Sequence, residues 1–197
     1  MSISTSRSDD LPVIAFATAE LWDAWLAEQH AQSAGVWLKI AKKASGIASV
    51  DYAQALDVAL CYGWIDGQKG RFDDVYFVQR FTPRKARSKW SQVNCAKAAA
   101  LIASRAMRPA GLAQIEAAKA DGRWDAAYPA QSAASVPEDL QQALDANEAA
   151  QAFFLTLSAV NRYAILYRLH HLNGAQRRAA RIATYVEMLA DGRTLHP

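Results

Sequence analysis

Residues 59–67 read ALCYGWIDG, residues 68–78 QKGRFDDVYFV and residues 79–94 QRFTPRKARSKWSQVN. Along this stretch the hydrophobic period changes from helix to strand, the chain reverses, and a helix begins again. Just upstream, Tyr52, Ala55, Leu56, Ala59 and Leu60 fall at i, i+3, i+4, i+7 and i+8, which predicts a helix over 50–62 with one buried stripe. Gly63 suits the left-handed position after its last turn. From Trp64 onward, 64–71 and 75–82 read as two strands joined through Phe72–Asp73–Asp74 in a short hairpin. In the second strand Val75, Phe77, Gln79 and Phe81 point one way, and Tyr76, Val78 and Arg80 the other. Pro83 ends it, because proline cannot donate to the ladder. Ser88 and Ser91 are both credible N-caps for the helix that runs on to about 104.

Working outward, residues 1–15 are polar and punctuated by Pro12, and read as a loose arm. A helix follows from Thr18 to about Ser33, with Leu21, Trp22 and Trp25 as its apolar face. Val36–Ile40 is rich in strand formers, and Ser45–Gly46 makes a turn. Pro109 fits the first position of a helix over 109–120. Residues 122–136 carry Gly, Pro and Ser with little periodicity. Past Pro137 the chain reads as helices over about 137–146, 148–157, 159–172 and up to Ala190, with Asn147 and Ser158 as caps. The fold class is therefore α+β: a small antiparallel sheet packed by helices over 15–125, a linker over 126–136, and an all-helical domain over 137–192.

Composition agrees with a folded chain. Apolar residues make up 52% and charged ones 21%, and a protein of 197 residues buries roughly 70% of its unfolded surface without help from metal or disulfide. Cys61 and Cys95 have no paired spacing, so reduced thiols and a cytoplasmic location are expected. The N-terminal stretch lacks the apolar core of a secretory signal, and no apolar run approaches the length of a membrane span. The net charge of +3 hides a segregation. Between Asp74 and Glu116 there is no acid, while Arg80, Arg84, Lys85, Arg87, Lys89, Lys97, Arg105 and Arg108 fall inside. A second acid-free run holds Arg162, Arg168, Arg177, Arg178 and Arg181. Such runs attract anions, unless acids from elsewhere in the fold pair with them.

The candidate binding residues gather at the end of the hairpin: Asp66, Arg80, Thr82, Arg84, Lys85, Ser88, Trp90, Ser91 and Asn94. Guanidinium forks, a hydroxyl and a helix N-terminus are the parts of an oxyanion site. Arg80 and Arg84 would otherwise pair with Asp66, Asp73 or Asp74. Asp66, between Gly63–Trp64 and Gly67, reads as an acid or base, as a local cap, or as the partner of Arg84. Trp90 would stack on a base or sugar, or pack beneath its helix. Cys61 in an Ala/Leu-rich helix reads as a buried apolar side chain. His170 and His171 are adjacent and diverge by about 100° on a helix, so no metal site and no cofactor is expected. No catalytic set emerges.

ALCYGWIDG, RFTPRKARSKWSQVN, the Met107–Gly111 step, Ala120–Trp124, PEDLQQALDANEAAQAFF and the run Arg177–Ile182 resemble the YdeI/OmpD-associated family, also labelled bacteriocin-protection proteins. The resemblance covers about residues 19–192. It implies a bacterial protein with an α+β first half and a helical second half, linked to bacteriocin tolerance and without an established mechanism. The reading that follows is a resistance protein binding an anionic small molecule or an acidic protein surface at 80–94. The alternatives are an enzyme using Asp66 with Arg80 and Arg84 on a phosphorylated or carboxylated small molecule and, disfavoured, a nucleic-acid binder.

Overall fold

The computed structural model describes residues 11–197. Its elements are β1 (Val13–Ala15), α1 (Ala19–Gln29), β2 (Val36–Ala41), α2 (Tyr52–Cys61), β3 (Trp64–Arg71), β4 (Tyr76–Pro83), α3 (Gln92–Ala103), α4 (Pro109–Ala120), α5 (Glu138–Asp145), α6 (Glu148–Thr156), α7 (Ala159–His170) and α8 (Ala175–Ala190). Single 3₁₀ turns lie at Lys43–Ser45 and Gln131–Ala133. The architecture is α+β, and the chain divides into two compact units. Of the described residues, 11–90 together with 94–127 form the first, and 91–93 with 128–197 the second.

The first unit is built on a four-stranded sheet in the order β1-β2-β4-β3. The hairpin β3–β4 and the pair β2–β4 are antiparallel, as the alternation predicts. The short β1 adds a parallel edge against β2, with Val13 opposite Trp37. Part of the arm read at 1–15 is thus a strand; its first ten residues lie outside the described ones. Three residues are too few to carry a period, which is why pattern alone missed β1. A helix between two strands returns the chain in the same direction, so β1 and β2 run parallel.

Helix α1 starts where Thr18 caps it, its hydroxyl accepting from the Leu21 amide at 3.4 Å. Its buried face is Trp22 and Leu26, with Trp25 packed beside them, whereas Leu21 is 53% exposed and does not belong to the face as predicted. The indole N–H groups of Trp22 and Trp64 are satisfied by the carbonyls of Ala55 and His30, each at 3.1 Å, so two large rings enter the core at no hydrogen-bonding cost. Helix α2 is closed by a capping box in which Asp51 and Gln54 bind each other's amides. Ala55, Leu56, Ala59 and Leu60 are buried, and Tyr52 stays at the surface. Gly63 then takes φ +72, the left-handed turn that lets β3 begin.

The hairpin carries an irregularity after Asp66, where pairing resumes only at Lys69. Gln79, 4% exposed, reaches into this bulge and donates to the carbonyls of Gly67 at 2.8 Å and Gln68 at 3.3 Å. Asp73 accepts from the amides of Val75 and Tyr76 and closes the turn. Helix α3 ends in a Schellman arrangement: the Ala106 amide donates to Leu101 and the Arg105 amide to Ile102. Arg105, at φ 60, fills the left-handed position that such a cap normally gives to glycine.

The second unit is a set of helices around Leu140, Leu144, Phe154, Ile165, Leu169, Ile182, Tyr185 and Leu189. Asn147 caps α6 and Ser158 caps α7 through the amides of Ala150 and Asn161, as predicted. Gly174, at φ 90, precedes α8. The Arg178 fork bonds both carboxylate oxygens of Asp139 and so ties α8 to the start of α5. In the segment before α5, the Tyr163 hydroxyl donates to the Pro129 carbonyl at 2.9 Å.

Two predictions follow from this packing. Gly111 sits where α4 crosses the end of α2, and a methyl there would run into the Cys61 carbonyl and stand 2.8 Å from that of Leu60. Gly111→Ala, which in an open helix gains up to about 1 kcal/mol, is expected to lose about 1–3 kcal/mol in denaturant unfolding. Cys61 and Cys95 are unbridged, the first buried and the second half-buried. Burial pushes the Cys61 thiol up to about 11, and nearby Asp23 adds to this. At pH 8 a thiol reagent should therefore modify Cys61 only on the timescale of unfolding, with Cys95 reacting first.

Candidate functional site

The loop after β4 is held by a chain of specific contacts. Proline fixes the backbone at 83, and the Arg84 amide donates to the Gly63 carbonyl at 3.0 Å, which fastens the strand end to the α2–β3 corner. The Arg84 side chain then turns inward. It is 6% exposed, lies 3.5 Å from the Trp90 ring centroid, and donates from Nη1 to the Lys89 carbonyl at 3.1 Å. Trp90, 2% exposed, meets Trp124 at 4.9 Å between centroids. A cation on an indole face is worth about 2 kcal/mol or more once water is excluded, so this stack fixes both ends of the loop.

Between those ends the loop closes on itself. Ser88 donates its amide to the Lys85 carbonyl at 2.8 Å, and its hydroxyl accepts from the Lys85 amide at 2.9 Å. Arg123 donates to the Ser88 carbonyl at 2.9 Å while its Nε bonds both oxygens of Asp121. That pairing holds the Asp121 carboxyl below the usual carboxylate range. What remains at the surface is Lys85, Arg87 and Lys89, all exposed.

The nine residues predicted for the site separate into different roles. Arg84, Trp90, Ser91 and Asn94 are buried; Asp66, Arg80, Thr82 and Ser88 are half-buried; Lys85 is exposed. Ser88 is not a helix cap, because α3 begins only at Gln92 and the Ser88 hydroxyl is used within the loop. Ser91 precedes the helix and forms an isolated bridge with Tyr128. Asp66 pairs with Phe81 across the hairpin, and Thr82 with Ile65. Phe81 is in the core, so Asp66 shares its face, while Arg80 and Thr82 stand on the other face. The Asp66 carboxylate accepts from the Tyr52 hydroxyl at 2.8 Å. The Arg80 stem packs across Gly67. The hairpin thus puts Asp66 and Arg80 on opposite sides of the sheet, and the acid–cation pairing considered from sequence is not made there.

Sequence reasoning missed Arg123 and Trp124, which complete the clamp from thirty-odd residues downstream. The signal was the Gly122–Arg123–Trp124 step, a short cation–aromatic pair in a segment otherwise without periodicity. It also missed an aromatic pocket in the second unit, about 260 Å³, with Tyr128, Tyr163, Tyr167 and His170 in its wall. The i, i+4 spacing of Tyr163 and Tyr167 was its only trace. Among the described residues no three of His, Cys, Asp and Glu come together as a metal would require, and no helix is long and apolar enough to cross a membrane.

Comparison with known proteins gives two family matches. A model described as Domain of unknown function (DUF8412) matches residues 14–114, just over half of the chain. A second, described as Bacteriocin-protection, YdeI or OmpD-Associated, matches residues 133–192. No curated protein and no solved structure matches.

The clamp sets the cost of altering its members. Arg84→Ala should lower stability by about 2–4 kcal/mol in denaturant unfolding followed by tryptophan fluorescence, since it uncovers Trp90 and leaves the Lys89 carbonyl without its donor. Arg84→Lys should recover little of this, because an ammonium cannot lie flat on the indole and reach the carbonyl together. Lys85→Gln, at the next residue along the same backbone but solvated, should stay within about 0.5 kcal/mol of the parent.

Proposed function

We propose that this chain, which belongs to the family described as Domain of unknown function (DUF8412) and carries a bacteriocin-protection domain of the YdeI/OmpD-associated type, works by binding rather than by catalysis: the 85–89 loop docks an acidic protein surface. The observation that carries this reading is the division of labour among the cations of the loop. Arg84 and Arg123 are consumed in holding the backbone, and Lys85, Arg87 and Lys89 are displayed by it. A loop whose ends and middle are already fixed loses little entropy on binding, so its charges act from a preorganised position. Three exposed cations spread along one loop match a row of carboxylates better than a single small anion. Complementary charge of this kind raises association rate and sets partner choice more than it adds raw affinity. The unbridged Cys61 and Cys95 support a cytoplasmic place of action. Engagement of Asp66 by Tyr52 supports a structural role for that carboxylate.

The test replaces Lys85, Arg87 and Lys89 together by Gln and compares binding of an oligo-aspartate peptide with that of the parent. The expected result is at least a tenfold loss of affinity, a weaker salt dependence, and unfolding stability unchanged within about 0.5 kcal/mol. Equal affinity of parent and triple variant would remove the loop from the binding surface. Tighter binding of a DNA duplex than of the peptide, with a steep salt slope, would replace this reading by the nucleic-acid one.

A further inference from the structure

Elsewhere in the first unit, α1, α2 and the end of α3 enclose a cleft of about 400 Å³, within the range of small-molecule sites. Its polar wall is of mixed sign. Glu20 and Asp23 come from α1, Asp57 from α2, and Arg105 and Arg108 from the turn between α3 and α4. Val58, Leu101 and the buried Cys61 supply an apolar floor. Two of the acids are already engaged: Asp57 by Lys97 at 2.6 Å, and Asp23 by Arg108 at a loose 3.4 Å. Among the described residues no ion pair engages Arg105 or Glu20.

Arg105 is also the one described residue other than glycine with a positive φ. The Schellman cap it occupies would be satisfied by Gly at no steric cost, so an arginine there runs against local preference. Strain of this sort at the edge of a cleft points to a use for the side chain. A purely anionic ligand would meet the field of Glu20, Asp23 and Asp57, and a purely cationic one that of the two guanidinium groups. A small molecule carrying both charges, with an apolar body, meets neither objection.

We propose that this cleft binds an amino acid with an apolar side chain, its carboxylate taken by Arg105 with Arg108 beside it, its ammonium by Glu20, and its side chain lying on Val58 and Leu101. The site is separate from the 85–89 loop and stands or falls independently of it.

The experiment measures binding of L-leucine, L-methionine and L-phenylalanine to the full chain by ligand-observed NMR and calorimetry. Isocaproate, which is leucine without its ammonium, and isoamylamine, which is leucine without its carboxylate, serve as comparisons. At least one of the three amino acids is expected to bind at millimolar concentration or tighter, and both leucine fragments at least tenfold more weakly than leucine. Arg105→Gly should weaken the amino acid at least tenfold while raising Tm by about 2–4 °C, because it relieves the left-handed position. Arg105→Asn, which also tolerates that position, should lose binding in the same way, and Arg105→Lys should retain part of it. Absence of binding by all three amino acids overturns the proposal. So does isocaproate binding as tightly as leucine, or Arg105→Gly binding like the parent.

Discussion

The stacking of Arg84 on Trp90 is the contact on which the basic loop depends. It joins the residue just after β4 to one two positions before α3, and each member removes the other from water. Neither would be stable in that place alone. A bare guanidinium at 6% exposure would carry a large desolvation cost, and an indole without its cover would be an apolar patch. The Lys89 carbonyl and the Trp124 ring add to the arrangement. The rest of the loop is then short enough for Ser88 and Arg123 to fix.

Much of the frame was legible because the relevant signals are local. Gly63 after an apolar stripe, Asp73 in a two-strand reversal and Pro109 at a helix start each act on their own neighbours. The pieces that escaped depend on distant partners. The strand at Val13–Ala15 exists because β2 offers it an edge, not because three residues specify it. In α1 the choice of Trp22 and Leu26 over Leu21 as the buried pair is made by Phe16, Trp64 and Phe81, which pack against Trp22 from other elements. Helical spacing alone admits either face.

The candidate site was legible in position and not in roles. That 80–94 would gather cations, a tryptophan and a fixed turn could be read directly. Which cation would be buried could not, since Arg84 and Lys85 are neighbours of like charge with opposite fates. The difference lies in shape: a planar guanidinium can lie on a ring and still donate in its own plane, whereas an ammonium is better left hydrated. Asp66 and Arg80 illustrate the reverse error. Sequence proximity suggested a pair, and the hairpin register assigned them to opposite faces.

The acid-free run from 75 to 115 is likewise not an unbroken basic surface once folded. Lys97 is met by Asp57 from forty residues away, and Arg108 by Asp23 from eighty-five. Arg84 is spent on Trp90. Each of these contacts withdraws a cation from the field that a count along the chain would assign to solvent. Lys85, Arg87 and Lys89 stand exposed and close together in sequence, on a loop whose backbone is held at both ends. Screening limits such charges to about 8–10 Å of reach in physiological salt. Only a partner that comes into contact with the loop can therefore sense them. Their value lies in the fixed spacing that the Arg84–Trp90 stack imposes, and not in the net charge of the chain.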